Sequence, residues 1–153
     1  MKRDSKLSGV LHVLLHMAEM DGPATSESLA AAMCTNPVVV RRLMAGLRQA
    51  GFVSSAKGHG GGWVLSCPLS KITLSDIHHA VGAPALLALG NRTESPGCAV
   101  EQAVNAALDG VCQEAEALLL KRLGQITLAD LSKDFHRRMV AGGFSHKDIE
   151  HAL

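Results

Sequence analysis

The sequence predicts a mainly α-helical protein with a small β-hairpin and a long helix in its C-terminal half. Apolar residues recur at the spacing of a helix face near the start of the chain and again over residues 99–123. Between these regions, the glycine-rich stretch KGHGGGWVLS at residues 57–66 has a short β-prone run before it and ends in another. Hydrophobic residues make up 47% of the 153 residues and charged residues 19%, which is typical of a folded globular chain.

Two helices are predicted at the start of the chain. The first covers residues 5–20 and ends at a DGP turn. Its apolar face consists of Leu7, Val10, Leu11, Leu14, Leu15 and Ala18. Thr25 or Ser26 can cap the second, over residues 26–33, and Glu27 places an acid near the positive end of its dipole.

A third helix over residues 38–50 follows a tight turn. Thr35 or Asn36 can cap it, Pro37 can occupy its first turn, and Gly51 follows its end. The face predicted to be buried consists of Val40, Leu43, Met44 and Leu47, and the outer face of Val38, Arg41, Arg42, Ala45 and Arg48. The outer face has three arginines and no acid. Two short helices, a turn and a basic third helix predict a helix-turn-helix.

The glycine-rich stretch is predicted to be the tip of a hairpin between strands at residues 52–55 and 63–65. A phosphate-binding loop of an enzyme would need a helix after it, and here a strand follows. The glycines allow positive φ and close approach of the backbone. Lys57 supplies a cation for a phosphate or a narrow minor groove, and Ser54 and Ser55 can donate to phosphates. A helix-turn-helix followed by such a hairpin is a winged helix.

Several segments resemble the Rrf-two (Rrf2) family of bacterial transcriptional regulators, which includes the iron–sulfur cluster regulator and the nitric-oxide-sensitive repressor. They are SKLSGVLHVLLHMAE, TNPVVVRRLMAGLRQAGFV, VSSAKGHGGGWVLSCPLSKITLSDI, SPGCAV and ITLADL, and together they span nearly the whole chain. The resemblance implies a DNA surface made of Lys6, Asn36, Pro37, Val38, Val39, Arg41 and Arg42. It implies wing contacts from Ser54, Ser55, Lys57, His59 and Gly60. Many members have arginine in place of Lys57 and tyrosine in place of Trp63.

The long helix over residues 99–123 carries an apolar stripe of Val100, Val104, Leu108, Val111, Ala115, Leu118 and Leu119. Its length of about 37 Å exceeds what a small domain needs for its own core. We expect it to pair with a second copy across a two-fold axis. Packing against its own domain is the alternative. The resemblance implies that this is the dimerisation helix, followed by a short helix, TLADLSKDF. The predicted domains are residues 1–85 for DNA binding and 86–153 for the linker, dimerisation helix and C-terminal helices.

The four cysteines, Cys34, Cys67, Cys98 and Cys112, form no CxxC pair, as expected in a reducing cytoplasm. Members that bind an iron–sulfur cluster place three cysteines before and at the start of the long helix. This chain has only Cys98 there, and it therefore resembles the branch without a cluster. Cys98 is the candidate sensor, because a helix N-terminus favours thiolate, and the alternative is that it is only a small residue of a turn. Cys112 is expected to be shielded. His12 and His16, four residues apart, lack a third metal ligand.

Charge and hydropathy limit the function further. Residues 1–65 hold seven bases and four acids, so that this region is basic although the whole chain has a net charge of only +1. The sequence has no apolar run long enough to span a bilayer and no acid–base constellation for catalysis. We expect a cytoplasmic, homodimeric repressor, not an enzyme, without cofactor or metal. It would bind an inverted-repeat operator in double-stranded DNA and respond to a small molecule or thiol oxidant. The alternatives are a winged-helix protein-interaction module and an iron–sulfur-sensing regulator.

Overall fold

The computed structural model describes residues 6–87 and 97–144. In these ranges the chain forms six α-helices and a two-stranded antiparallel hairpin, with one turn of 3-10 helix at Leu69–Lys71. The elements are α1 (Lys6–Glu19), α2 (Ser26–Ala32), α3 (Pro37–Gln49), β1 (Val53–Ala56), β2 (Gly62–Leu65), α4 (Leu74–Ala80), α5 (Ala99–Leu123) and α6 (Leu128–Gly142). The mainly α fold with a β-hairpin wing is confirmed. C-terminal helical structure predicted beyond residue 144 lies outside the described residues.

One hydrophobic core holds the winged helix together. α1 contributes Val10, Val13, Leu14 and Met17, and α3 contributes the four residues predicted for its inner face, all of them buried. Burying each such side chain stabilises the folded state by roughly 1.5–3 kcal/mol. The predicted face of α1 was partly wrong: Val13 and Met17 are buried, and Leu11 and Leu15 are only half-buried. A half-exposed helix shows a broad apolar stripe, and the neighbouring elements decide which edge of it is covered.

The helix caps settle the alternatives left by the sequence. Thr25 Oγ1 accepts a hydrogen bond from the Ser28 N–H at 3.1 Å, and Asn36 Oδ1 accepts from the N–H groups of Val38 and Val39 at 3.0 and 3.1 Å. Ser26 is not the cap. Its buried hydroxyl accepts a hydrogen bond from Trp63 Nε1 at 3.0 Å, which ties β2 to the start of α2.

Backbone contacts fix the position of the wing. β1 pairs with β2 in the register Val53↔Leu65 to Ala56↔Gly62. Trp63 also exchanges two backbone hydrogen bonds with Ala24, at 2.8 and 2.9 Å, which adds a bridge from the segment before α2. A Cβ on Gly62 would lie 2.4 Å from the Ala24 carbonyl oxygen, so this close approach requires glycine.

The start of α6 is held against the start of α4 by a pair of matching motifs. Leu74 N–H donates to the Ile126 carbonyl at 2.9 Å, and Leu128 N–H donates to the Ile72 carbonyl at 2.8 Å. Both helices begin with a threonine–aspartate capping box. Leu128 is fully buried in the same core as the winged helix. The predicted domain boundary at residue 85 remains a prediction. The first turn of α6 lies beyond that boundary, and its Leu128 packs into the core of the winged helix.

Candidate nucleic-acid interface

The outer face of α3 is exposed and basic, because the opposite face is buried and fixes the rotation of the helix. Arg41, Arg42 and Arg48 are all exposed, and Val38 beside them is 61% exposed. The dipole adds partial positive charge at the N-terminus of α3, where Pro37 occupies the first turn. This surface can attract a polyanion and present side chains to a groove.

An acid that the sequence does not predict at this surface lies against it. Arg41 Nη2 donates to Glu27 Oε1 at 2.7 Å. The prediction that the outer face carries no acid holds for α3 itself, but α2 brings a carboxylate to it. This ion pair depends on how α2 and α3 cross, and no local sequence pattern predicts the crossing of two helices.

The other residues predicted at the start of α3 differ in how far they are available. Asn36 uses its carbonyl oxygen to cap the helix, which leaves its NH₂ group for other partners. Pro37 and Val39 are half-buried, and Val39 packs against the core. Lys6 begins α1 and is exposed. The structure thus positions these residues, and their contacts with DNA remain predictions.

The wing presents its polar residues to the surrounding solvent. Ser54 and Ser55 are exposed on β1, and Lys57, His59 and Gly60 are exposed in the loop. Gly60 has a positive φ of 78°, a conformation in which glycine carries no strain. The tip is therefore a turn with side chains available for contact, as predicted for a wing.

α5 displays a second exposed surface, which is apolar. The helix has the predicted bounds, Ala99–Leu123, and no residue in it is fully buried. Six large side chains of the predicted stripe are 41–72% exposed: Val100, Val104, Leu108, Val111, Leu118 and Leu119. Ala115 of the same stripe is half-buried. The side chain of Glu116 holds the chain before α5, accepting from the N–H groups of Leu86 and Leu87 at 3.1 and 3.2 Å.

Cys98 is the residue that precedes α5, and it is exposed. Its sulfur makes no capping hydrogen bond of standard geometry, but the backbone N–H of Glu101, and then that of Val100, lowers the pKa of the thiol. Cys112 is half-buried within the helix. The environment of Cys98 thus favours thiolate, as the sequence predicts.

His12 and His16 of α1 and His136 of α6 lie where these two helices meet. The rings of His12 and His16 are 4.6 Å apart, and they border a cavity of about 150 Å³ together with Leu15 and Phe135. Burial lowers the pKa of His16, nearby His12 lowers it further, and Glu19 acts in the opposite direction. In residues 6–87 and 97–144, no three His, Cys, Asp or Glu side chains are arranged to hold a metal ion.

The fold and its exposed surfaces define the class of protein, a winged helix-turn-helix transcriptional regulator that binds DNA. Residues 3–134 match the Rrf2 family, which is described as an iron-dependent transcriptional regulator. Because the match spans most of the chain, this protein belongs to the Rrf2 family. None of the helices in the described residues has both the length and the apolar character needed to cross a bilayer.

Named relatives and solved structures agree with this assignment. YwnA of Bacillus subtilis (strain 168), named as an HTH-type transcriptional regulator, is 29% identical over 128 residues, which cover 84% of this chain and 95% of YwnA. The structure of IscR from T. potens has a TM-score of 0.59 at 25% identity, covering 88% of each chain. CymR, the global cysteine regulator of B. subtilis, has a TM-score of 0.56 at 25% identity, covering 87% of this chain and 98% of CymR.

The family is described as iron-dependent, and the positions of the cysteines bear on whether this chain could hold an iron–sulfur cluster. An iron–sulfur cluster needs several thiolates that converge. Only Cys98 lies at the head of α5, and Cys112 is fourteen residues further along the same helix, about 21 Å away. Cys34 lies in the turn between α2 and α3, Cys67 lies in the loop after β2, and all four cysteines are free. This set of donors does not fit a cluster held by three cysteines of one chain.

Proposed function

We propose that this protein is a homodimeric repressor that binds an inverted-repeat operator in double-stranded DNA. The outer face of α3 carries the proposal, because its exposed arginines stand on a helix that is fixed by four buried residues. α3 would enter the major groove, where Arg42 would donate to a guanine edge. A dimer bound over a promoter would prevent other proteins from occupying it.

The wing would add contacts that help to position the protein on the duplex. Lys57 would meet a phosphate or a narrow minor groove, and Ser54 and Ser55 would donate to phosphate oxygens. The other residues proposed to contact DNA are Lys6, Asn36, Pro37, Val38, Val39, Arg41, His59 and Gly60.

A second copy of the chain is the proposed partner of α5. Six large apolar side chains at 41–72% exposure along one helix are costly to leave in water, and a second copy related by a two-fold axis would cover them. Val104, Leu108, Val111, Ala115, Leu118 and Leu119 form the proposed interface. The two-fold axis of such a dimer is matched by an operator with inverted repeats.

Cys98 is the proposed sensor of a cytoplasmic thiol oxidant or electrophile. Its exposed sulfur and lowered pKa favour the form that such reagents attack. An adduct at the start of α5 would alter how the two copies meet and would thereby loosen the operator complex. The proposed function requires no cofactor and no catalytic step.

The test is a selection of duplex fragments by the purified protein, followed by titration of the selected and of unrelated duplexes at several salt concentrations. We expect enrichment of an inverted repeat and binding that weakens steeply with salt. Failure to bind any duplex in a salt-dependent way would refute DNA reading and leave a protein-interaction module as the function.

A further inference from the structure

The contact between Glu27 and Arg41 lies at the surface that is proposed to meet DNA. Glu27 is in the first turn of α2 and Arg41 is in the exposed part of α3, and their side chains are 64% and 56% exposed. The ion pair has a single short contact, from Arg41 Nη2 to Glu27 Oε1 at 2.7 Å. Because both groups are exposed, the pair adds little to the free energy of unfolding. The pair should instead affect which groups of the DNA Arg41 can contact.

The two helices hold both ends of this pair in position. Thr25 caps α2, and Leu29 of α2 is buried in the core that also takes Val40, the neighbour of Arg41. The dipole of α2 favours a carboxylate at Glu27. Arg41 has five N–H donors in a planar fork, and Glu27 occupies one of them. The others remain in a fixed plane and can donate to the two acceptors of a guanine edge.

The same carboxylate opposes contact with the DNA backbone. A free arginine on this surface would neutralise a phosphate of any sequence and release a counterion. A phosphate contact is less favourable for an arginine that is already paired with a carboxylate. The negative charge of Glu27 also repels a phosphate directly. The pair thus penalises binding to unrelated DNA and keeps the directed contact with a base.

We propose that Glu27 determines operator specificity by holding Arg41 for a base contact and denying it to phosphates. This inference rests on the proposed function, since it presumes that α3 reads DNA. Glu27 thereby acts as a positioning residue for Arg41.

The experiment compares wild type with Glu27→Gln on the selected operator and on an unrelated duplex. We expect Glu27→Gln to bind the unrelated duplex more tightly, with a salt slope steeper by about one. The ratio of the two affinities should fall by roughly fivefold or more, as for the loss of one oriented base contact. Asp21→Asn is the matched control, because it removes one charge from an exposed side chain that has no ion pair among the described residues.

A second comparison separates this role from a structural one. In an Arg41→Ala background, Glu27→Gln should no longer change the affinity ratio, because the arginine on which Glu27 acts is gone. An unchanged ratio and salt slope for Glu27→Gln alone would overturn the inference. Equal weakening on all duplexes with a lowered melting temperature would also overturn it. If wild type itself shows no salt-dependent binding, the proposed function fails instead.

Discussion

Arg42 and Lys57 are both exposed cations, but they stand on different elements and should meet different parts of DNA. Arg42→Ala should weaken operator binding by about 1–3 kcal/mol, because it removes contacts to a base edge. Lys57→Ala should weaken binding to all duplexes alike and make the salt slope shallower by about one. Titration of operator and unrelated duplexes measures both effects. Equal, salt-independent binding by both variants and wild type would exclude DNA reading.

Cys98 and Cys34 provide a comparison within one molecule, since both are exposed but only Cys98 begins a long helix. We expect iodoacetamide to alkylate Cys98 faster than Cys34 near neutral pH, because the lowered pKa leaves more of it as thiolate. Mass spectrometry of timed samples gives the two rates. Oxidation should then weaken operator binding by wild type but not by Cys98→Ser. Equal loss in both proteins would remove the sensor role.

His16 should make the protein less stable in mild acid. Its pKa in the folded state is lowered, chiefly by burial, so that the unfolded chain binds a proton more readily. The free energy of unfolding should therefore fall as the pH drops below about 6.5, the ordinary value for histidine. His16→Gln should flatten this dependence in urea titrations between neutral and mildly acidic pH. A wild-type slope that survives the substitution would contradict the assignment.

The paired starts of α4 and α6 depend on hydroxyl groups that can be tested singly. Thr127 Oγ1 accepts from the Asp130 N–H at 3.1 Å, and Asp130 accepts from the Thr127 N–H at 2.9 Å, which lowers the pKa of Asp130. Thr127→Ala should reduce the free energy of unfolding by about 1 kcal/mol, as measured by urea denaturation. Thr127→Ser keeps the hydroxyl and should retain most of the stability. Identical midpoints for all three proteins would count against the capping box.

The sequence predicts single elements better than contacts between them. The bounds of α5 and the buried face of α3 could be predicted, because apolar spacing and capping residues are local features of the sequence. Both capping boxes also leave a local signature. The pairing of Leu74 with Ile126 and of Glu27 with Arg41 was not readable, because residues far apart in sequence meet only once the core has formed. The burial of Val13 in place of Leu15 has the same cause.

Single charges placed in the apolar stripe of α5 test whether the protein dimerises through this helix. Val111→Glu or Leu118→Glu should give monomers, because each places a charge in the proposed apolar interface. Val140→Glu is the control, since Val140 is exposed on α6 and lies outside the stripe. Light scattering at micromolar concentration measures the mass, and the monomers should also bind the operator more weakly. A monomeric wild type would refute the proposed architecture, as would dimers that persist in both variants.

α5 is anchored to the core at its C-terminal end, so that a small rotation there displaces its N-terminal end by a larger distance. Leu123 and Ile126, at and just beyond the C-terminal end of the helix, pack against the core, and Cys98 stands at the other end. A tilt of about 10° over a length near 37 Å displaces the far end by roughly 6 Å. That displacement is close to two base-pair steps. A small torque at the Cys98 end would therefore suffice to put two half-sites out of phase, and binding should depend sharply on the spacing between them.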